Sequence, residues 1–322
     1  MGGTSTWSSQ RRVLNVFAIA AVGATFGLLM LGGLVTSYQV GMAVPDWPTT
    51  FHENMFSYYF FDKGWGIQLE HSHRLVAAGV GLLTIVLGVF IGCIERRLWV
   101  LGLGALAIAL VLLQGVLGGM RVRLNELMGT DLAALHGCVA QLFFALMVSL
   151  SAVTSRWWVE AVPVPHEDAR RLRRIVLGLA VVTYCQIVLG ASVRHYGSGP
   201  MFVVHFGMAG LLLMGVVWAG LMVLTEPPLR RQVGAPVVVL LFLIGVQILL
   251  GLAAMSLTEL TAPSLRQSIS TAQAATTTAH LLLGSVVFAT TVVLALRCAR
   301  MLAPARSERS DSNSQRILET VG

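Results

Sequence analysis

Four histidines of this sequence, His73, His136, His205 and His280, lie inside long apolar stretches. Ionisable groups in such surroundings are rare and are usually functional. Neutral imidazole is a common metal ligand and an axial ligand of haem iron. Each of the four follows shortly after the start of its apolar run. At 1.5 Å rise per residue, all four fall within roughly 5–9 Å of the same end of their helices, so they share one depth. Side chains on facing helices build cofactor sites in helix bundles. The histidines pair as His73 with His136 and His205 with His280, giving two bis-histidine haem positions.

The segment Glu70-His71-Ser72-His73-Arg74 sharpens one of these positions. Glu70 and His73 are three apart and share a helix face. His71 is about 200° round the helix from His73 and points elsewhere. Glu70 is therefore expected beside the ligand, where a desolvated carboxylic acid is suited to exchanging a proton; the plainer alternative pairs it with Arg74. No carboxylate precedes His205, so the first site reads as chemically active and the second as a plain redox site. Arg74, Arg121, Arg123 and Arg194 fall at the same helix ends. They are candidate contacts for haem propionates, since arginine grips carboxylates in bidentate fashion; ordinary interfacial anchoring is the alternative. Gln114, Gln186 and Gln247 are expected to make interhelical hydrogen bonds. His195, beside Arg194, is a candidate supporting residue. His52 falls in a loop, and His166 is expected to be solvated.

The elements that position these groups follow from composition. The chain has 322 residues, 56% hydrophobic and 11% charged. Soluble domains carry about 25% charged residues. A membrane span takes about 20 apolar residues, and in lipid the backbone must satisfy itself as helix. Eight spans are expected: 13–37, 69–92, 98–119, 132–154, 175–193, 202–224, 233–255 and 274–296. The net charge of +7 does not indicate nucleic acid, because the arginines lie between apolar runs. Sixteen basic residues fall on one side, from Arg11 through Arg97, Arg156, Arg170–Arg174 and Arg231 to the tail. Six (Lys63, Arg74, Arg121, Arg123, Arg194 and Arg266) fall on the other. That excess places both termini in the cytoplasm, the cell membrane being the site of the protein. No cleavable leader is expected. The four cysteines, Cys93, Cys138, Cys185 and Cys298, are expected to be small buried core residues.

The pattern is also repeated internally. Gln114-x-x-x-Gly118, Gln186-x-x-x-Gly190 and Gln247-x-x-x-Gly251 close successive odd spans, and each even span carries one histidine. The expected architecture is an all-α integral membrane protein of eight helices in two related four-helix bundles. Residues 1–160 would hold the first site, 161–300 the second, and 301–322 a disordered cytoplasmic tail.

At these residues the sequence resembles the haem A synthase family, with CtaA as its type. The segments that carry the likeness are Gly41-Met-Ala-Val-Pro-Asp-Trp-Pro48, Glu70-His-Ser-His-Arg-Leu-Val-Ala77 and the later spans bearing His136, His205 and His280. The resemblance implies an oxidoreductase that converts the C8 methyl of haem O to a formyl by successive hydroxylation, giving haem A for terminal oxidases. It implies His73 and His136 on the substrate haem, Glu70 in catalysis, and His205 and His280 on a haem B cofactor. Its implied partners are a haem O synthase, a membrane electron donor and the lipid bilayer; homo-oligomerisation stays open. Some members of the family carry a cysteine in the first outer loop, where this chain has Val44. How that loop is secured is therefore an open question for the structure. The competing readings are a di-haem, cytochrome b-like electron carrier linked to quinone, and a haem-free transporter or assembly factor.

Overall fold

The computed structural model describes residues 7–197, 199–260 and 269–305. Nine helices and two short strands form among them. The long helices are α1 (Ser9–Ser37), α2 (Trp65–Ile94), α3 (Leu98–Arg123), α4 (Asn125–Val153), α6 (Ala169–Tyr196), α7 (Gly199–Thr225), α8 (Pro227–Leu260) and α9 (Thr271–Met301). The short elements are α5 (Arg156–Val159), β1 (Val164–His166) and β2 (Leu302–Pro304). The eight long helices are each long and apolar enough to cross a bilayer. The protein is an all-α integral membrane protein, as its composition requires.

The helices begin earlier than the apolar runs do. α2 opens at Trp65, α4 at Asn125, α7 at Gly199 and α9 at Thr271. Polar residues such as Gln68, Asp131 and Gln273 continue the helix, because the backbone needs no apolar side chain to keep its i→i−4 bonds. The histidines consequently lie farther from their helix starts than expected, at about 9–17 Å. Ser8 caps α1 and Ser270 caps α9, each accepting a backbone N–H of the first turn. α6 ends at Gly197, whose left-handed φ of 61° closes the helix before α7 begins.

Two apolar cores form. One joins Leu14, Ala18, Leu87, Ile91, Met147 and Leu150 of α1, α2 and α4, with Val100 and Ala107 of α3. The other joins residues of α6 to α9 around Leu172, Val216, Leu240 and Leu294. The halves meet where α1 packs on α9 and α4 packs on α6 and α9. A close approach marks that seam: a Cβ on Gly33 would lie 3.0 Å from Cγ2 of Thr278. Ser37 adds hydrogen bonds to Thr277 (3.0 Å) and Thr278 (2.8 Å).

The arginine-rich end is knitted by charge. Glu95, just past α2, is buried and bonded by Arg11 and Arg97, and Arg97 also reaches the Val153 carbonyl at 3.0 Å. Burial pushes the Glu95 carboxyl up, but its hydrogen bonds and the two guanidinium charges outweigh that and hold it below the usual carboxylate range. β1 pairs in parallel with β2, Val164 opposite Leu302 and His166 opposite Pro304. Arg173 caps the end of α9 through the carbonyls of Cys298, Ala299 and Leu302.

These contacts correct three expectations. Leu302 is buried in the second core, so residues 302–304 are structure rather than tail; 306–322, with Arg306, Arg309 and Arg316, lie outside the described residues, as does Arg266. His166 is half-buried in β1 and accepts the Asp168 N–H at 3.1 Å, because a strand pairing holds it there. Of the cysteines only Cys298 is buried, while Cys93 and Cys185 are exposed on helix faces turned outward. In a membrane protein a lipid-facing position is as apolar as a core one, so apolar neighbours alone do not distinguish the two.

Candidate functional site: four histidines on glycine seats

Each of the four histidine rings rests on a glycine of the preceding helix. A Cβ added at Gly32 of α1 would lie 3.1 Å from Cε1 of His73, and one at Gly118 of α3 would lie 3.5 Å from Cε1 of His136. At Gly190 of α6 the distance to Cε1 of His205 is 3.1 Å, and at Gly251 of α8 the distance to His280 is 2.9 Å. Missing side chains thus make the ring seats, and the same seat recurs in all four helix pairs. The sequence signal was the repeated Gln-x-x-x-Gly. Gly32 escaped it because Leu28 stands where the other three seats have glutamine.

The glutamines do what their position suggested. The Nε2 of Gln114 donates to the His136 carbonyl (3.3 Å), that of Gln186 to the His205 carbonyl (2.9 Å), and that of Gln247 to the His280 carbonyl (3.0 Å). The Nδ1 atoms of all four histidines are buried without a hydrogen-bond partner. Each ring also meets the backbone of the facing helix, at Leu28, Gln114, Gln186 and Gln247 respectively, so the same setting recurs at all four histidines.

The rings of His205 and His280 have centroids 6.5 Å apart and lie 73° from coplanar. With a metal–nitrogen bond of about 2 Å and roughly 1 Å more from each nitrogen to its ring centre, two imidazoles sharing one metal would have centroids about 6 Å apart. The pair therefore fits bis-imidazole ligation of a haem iron. His73 and His136 are seated in the first half in the same way, on Gly32 and Gly118. Among the described residues no three His, Cys, Asp or Glu side chains converge on one point.

Around His73 the first loop closes over the site. Glu70 is 4% exposed. Its Oε2 accepts the Val44 N–H at 2.9 Å and its Oε1 accepts Nη2 of Arg74 at 2.8 Å. Arg74 also donates to the carbonyls of Val44 (2.8 Å), Asp46 (2.7 Å) and Thr49 (3.2 Å). His71 is fully buried, bonds Thr50 at 3.2 Å and packs on Tyr58 and Phe60. Trp47, joined to Pro48 by a cis peptide, covers Gly119 of α3. An ion pair and an aromatic clasp therefore secure the loop that has no cysteine. Asp46 organises its tip. Partial burial pushes its carboxyl up, but the Thr49 hydroxyl and the N–H groups of His52 and Phe51 outweigh that and hold it at about 2. Those bonds also brace Phe51 and His52, both at positive φ.

The arginines separate by what they touch. Arg74 is committed to the loop. Arg121 lies against Gly41, within electrostatic reach of Glu70, with its Nε buried and unpartnered. Arg194 crosses the seam to the Gly33 carbonyl (3.0 Å) and Ser37 hydroxyl (2.7 Å) and acts on His280. Arg123 is exposed at the end of α3. His195 lies near both Arg194 and Arg121.

Comparison with known proteins agrees with this frame. Residues 60–211 match the COX15-CtaA family, described as cytochrome oxidase assembly protein. The matched stretch runs from the first loop into α7 and contains Glu70, His73, His136 and His205; α8 and His280 lie beyond it. A protein named Heme A synthase from Symbiobacterium thermophilum is 32% identical over 200 residues, covering 58% of this chain and 61% of the relative. Proteins of the same name from Exiguobacterium sibiricum and Rhizobium meliloti are 28% and 24% identical over 194 and 240 residues. The alignments cover 61% and 62% of those two relatives, so the chain spans about three fifths of the length of the relatives it matches. The family resemblance read from the sequence is borne out.

Proposed function

We propose that this chain is a haem A synthase, oxidising the C8 methyl of haem O to the formyl of haem A for terminal oxidases. The observation that carries the reading is the 6.5 Å spacing of the His205 and His280 rings, with the same glycine seating repeated at His73 and His136 and a buried Glu70 one turn before His73. His73 and His136 hold the substrate haem. His205 and His280 hold haem B, which supplies one-electron redox chemistry when bound. Glu70 exchanges protons at the substrate site, where the hydrogen bonds from Arg74 and Val44 fix its two oxygens. Arg121, with an unpartnered Nε, is the best placed propionate contact; Arg194 serves the second site, and Arg74 and Arg123 less directly. Residues 1–160 and 161–304 act as the two halves. The arginine-rich end faces the cytoplasm with both termini. A haem O synthase and a membrane electron donor are the partners this chemistry needs.

The test is pigment extraction from cells that make haem O and express the chain. Haem A is expected with the native sequence and should fall sharply in Glu70→Ala. Haem O without haem A would defeat the enzyme and leave a di-haem carrier; a purified protein without a Soret band would defeat both.

A further inference from the structure

Three of the four histidine-bearing helices are tied to their neighbours at the histidine itself. Gln114, Gln186 and Gln247 each donate an amide N–H to the backbone carbonyl of the histidine they face. The Nε2 atoms of Gln186 and Gln247 also lie 3.4 and 3.5 Å from the ring Nε2 of His205 and His280. The amides hold these places although Oε1 of Gln186 and of Gln247 is buried without a partner. An orphaned buried carbonyl is unfavourable. Were packing the only demand, an aliphatic side chain would serve better, so the N–H bond is what the glutamine supplies.

The fourth helix pair shows the aliphatic alternative. Leu28 stands four residues before Gly32, the register that glutamine takes before Gly118, Gly190 and Gly251. Leu28 packs against the first core. His73 therefore keeps its glycine seat, and its ring meets the Leu28 backbone as the other three rings meet the backbone of their glutamines, but it lacks the side-chain amide tie between α1 and α2.

We propose that this single difference sorts the two imidazole pairs into one that stays closed and one that opens. Gln186 and Gln247 are positioning residues that fix both ligands of the second pair. In the first pair Gln114 fixes His136 alone, and His73 is the ligand that releases. The inference rests on the reading that the first pair takes the substrate haem, which must enter and leave on every turnover, whereas the second holds a resident group.

The experiment uses the full-length protein purified with its haem and mixed with excess apomyoglobin as acceptor, the Soret band reporting haem loss. Two phases are expected in the native protein, the fast one absent from His73→Ala. Leu28→Gln should slow the fast phase by about three- to twentyfold, the range that interhelical hydrogen bonds span in membranes, and leave the slow phase alone. Leu28→Met, which adds no donor, should change neither phase. Gln247→Met should speed the slow phase by a similar factor without touching the fast one. A fast phase indifferent to Leu28→Gln overturns the inference, and that variant decides the matter if Gln247→Met does not accumulate. Soret absorption with both phases insensitive to these changes overturns this inference alone. Absence of any Soret band overturns the haem reading beneath it as well.

Discussion

Replacing Gly251 by alanine places a methyl carbon where the His280 ring already lies. The new Cβ would sit 2.9 Å from Cε1, 3.5 Å from Nδ1 and 3.7 Å from Nε2. Comfortable carbon contacts begin at about 3.5 Å, so the ring must retreat by roughly 0.6 Å. It can do so by leaving its rotamer, at about 0.5–1.5 kcal/mol, or α8 and α9 can part, at about 1–3 kcal/mol for an overpacked site. At about 1.4 kcal/mol per tenfold, the upper part of that range lowers haem affinity at the second pair by roughly five- to hundredfold. Gly118→Ala is the matched control, because its Cβ would meet Cε1 of His136 at an ordinary 3.5 Å. Gly23→Ala controls for helix propensity, having nothing within 4 Å. Haem titration followed by the Soret band, with the low-spin electron paramagnetic resonance signal expected of the proposed bis-imidazole site, reads the outcome. Gly251→Ala is expected to weaken and shift that signal, while the two controls match the native protein. If Gly251→Ala titrated like Gly118→Ala, the glycine seats would have no bearing on the rings.

Two further outcomes follow from the loop. Arg74→Ala removes the donor to three loop carbonyls and leaves the buried Glu70 carboxylate with only the Val44 N–H. Breaking a buried ion pair costs about 3–5 kcal/mol, so protease should cut between residues 44 and 64 far faster in the variant; equal cutting rates would count against the staple. Asp46 has its carboxyl held at about 2 against an ordinary 3.8. A group depressed on folding contributes stability above its ordinary value, and that contribution disappears as pH falls from about 4 through about 2. The fluorescence of Trp47, isolated by difference against Trp47→Phe, should change across that window in the native protein and stay flat in Asp46→Asn. A transition that survives in Asp46→Asn would assign it to another group.

The eight spans and the histidine alternation could be read directly, because apolar length and an intramembrane imidazole are strong signals in any single sequence. The ends of the helices could not. Asn125 and Thr271 look like loop residues, yet they continue helices whose backbone bonds do not depend on side-chain polarity. The Gln-x-x-x-Gly repeat was visible, and so was the interhelical role of its amide; that its glycine carries a ring on the next helix needs three dimensions. Val44 illustrates another limit. Its side chain is buried and says little, whereas its N–H binds Glu70, a backbone contact with no signature in residue type. The exposed Cys93 and Cys185 show the same limit from the other direction, since lipid and protein interior select the same side chains.

The parallel pairing of residues 164–166 with 302–304 has a consequence for biogenesis. The strand that bridges the two halves finds its partner only after the last helix has been made. Arg173, near the start of α6, likewise waits for the carbonyls at the end of α9. Contacts this far apart in sequence form late. Each half can insert and collect its own helices as the ribosome delivers them, but the segment linking them gains its strand partner only once residues 302–304 have followed α9.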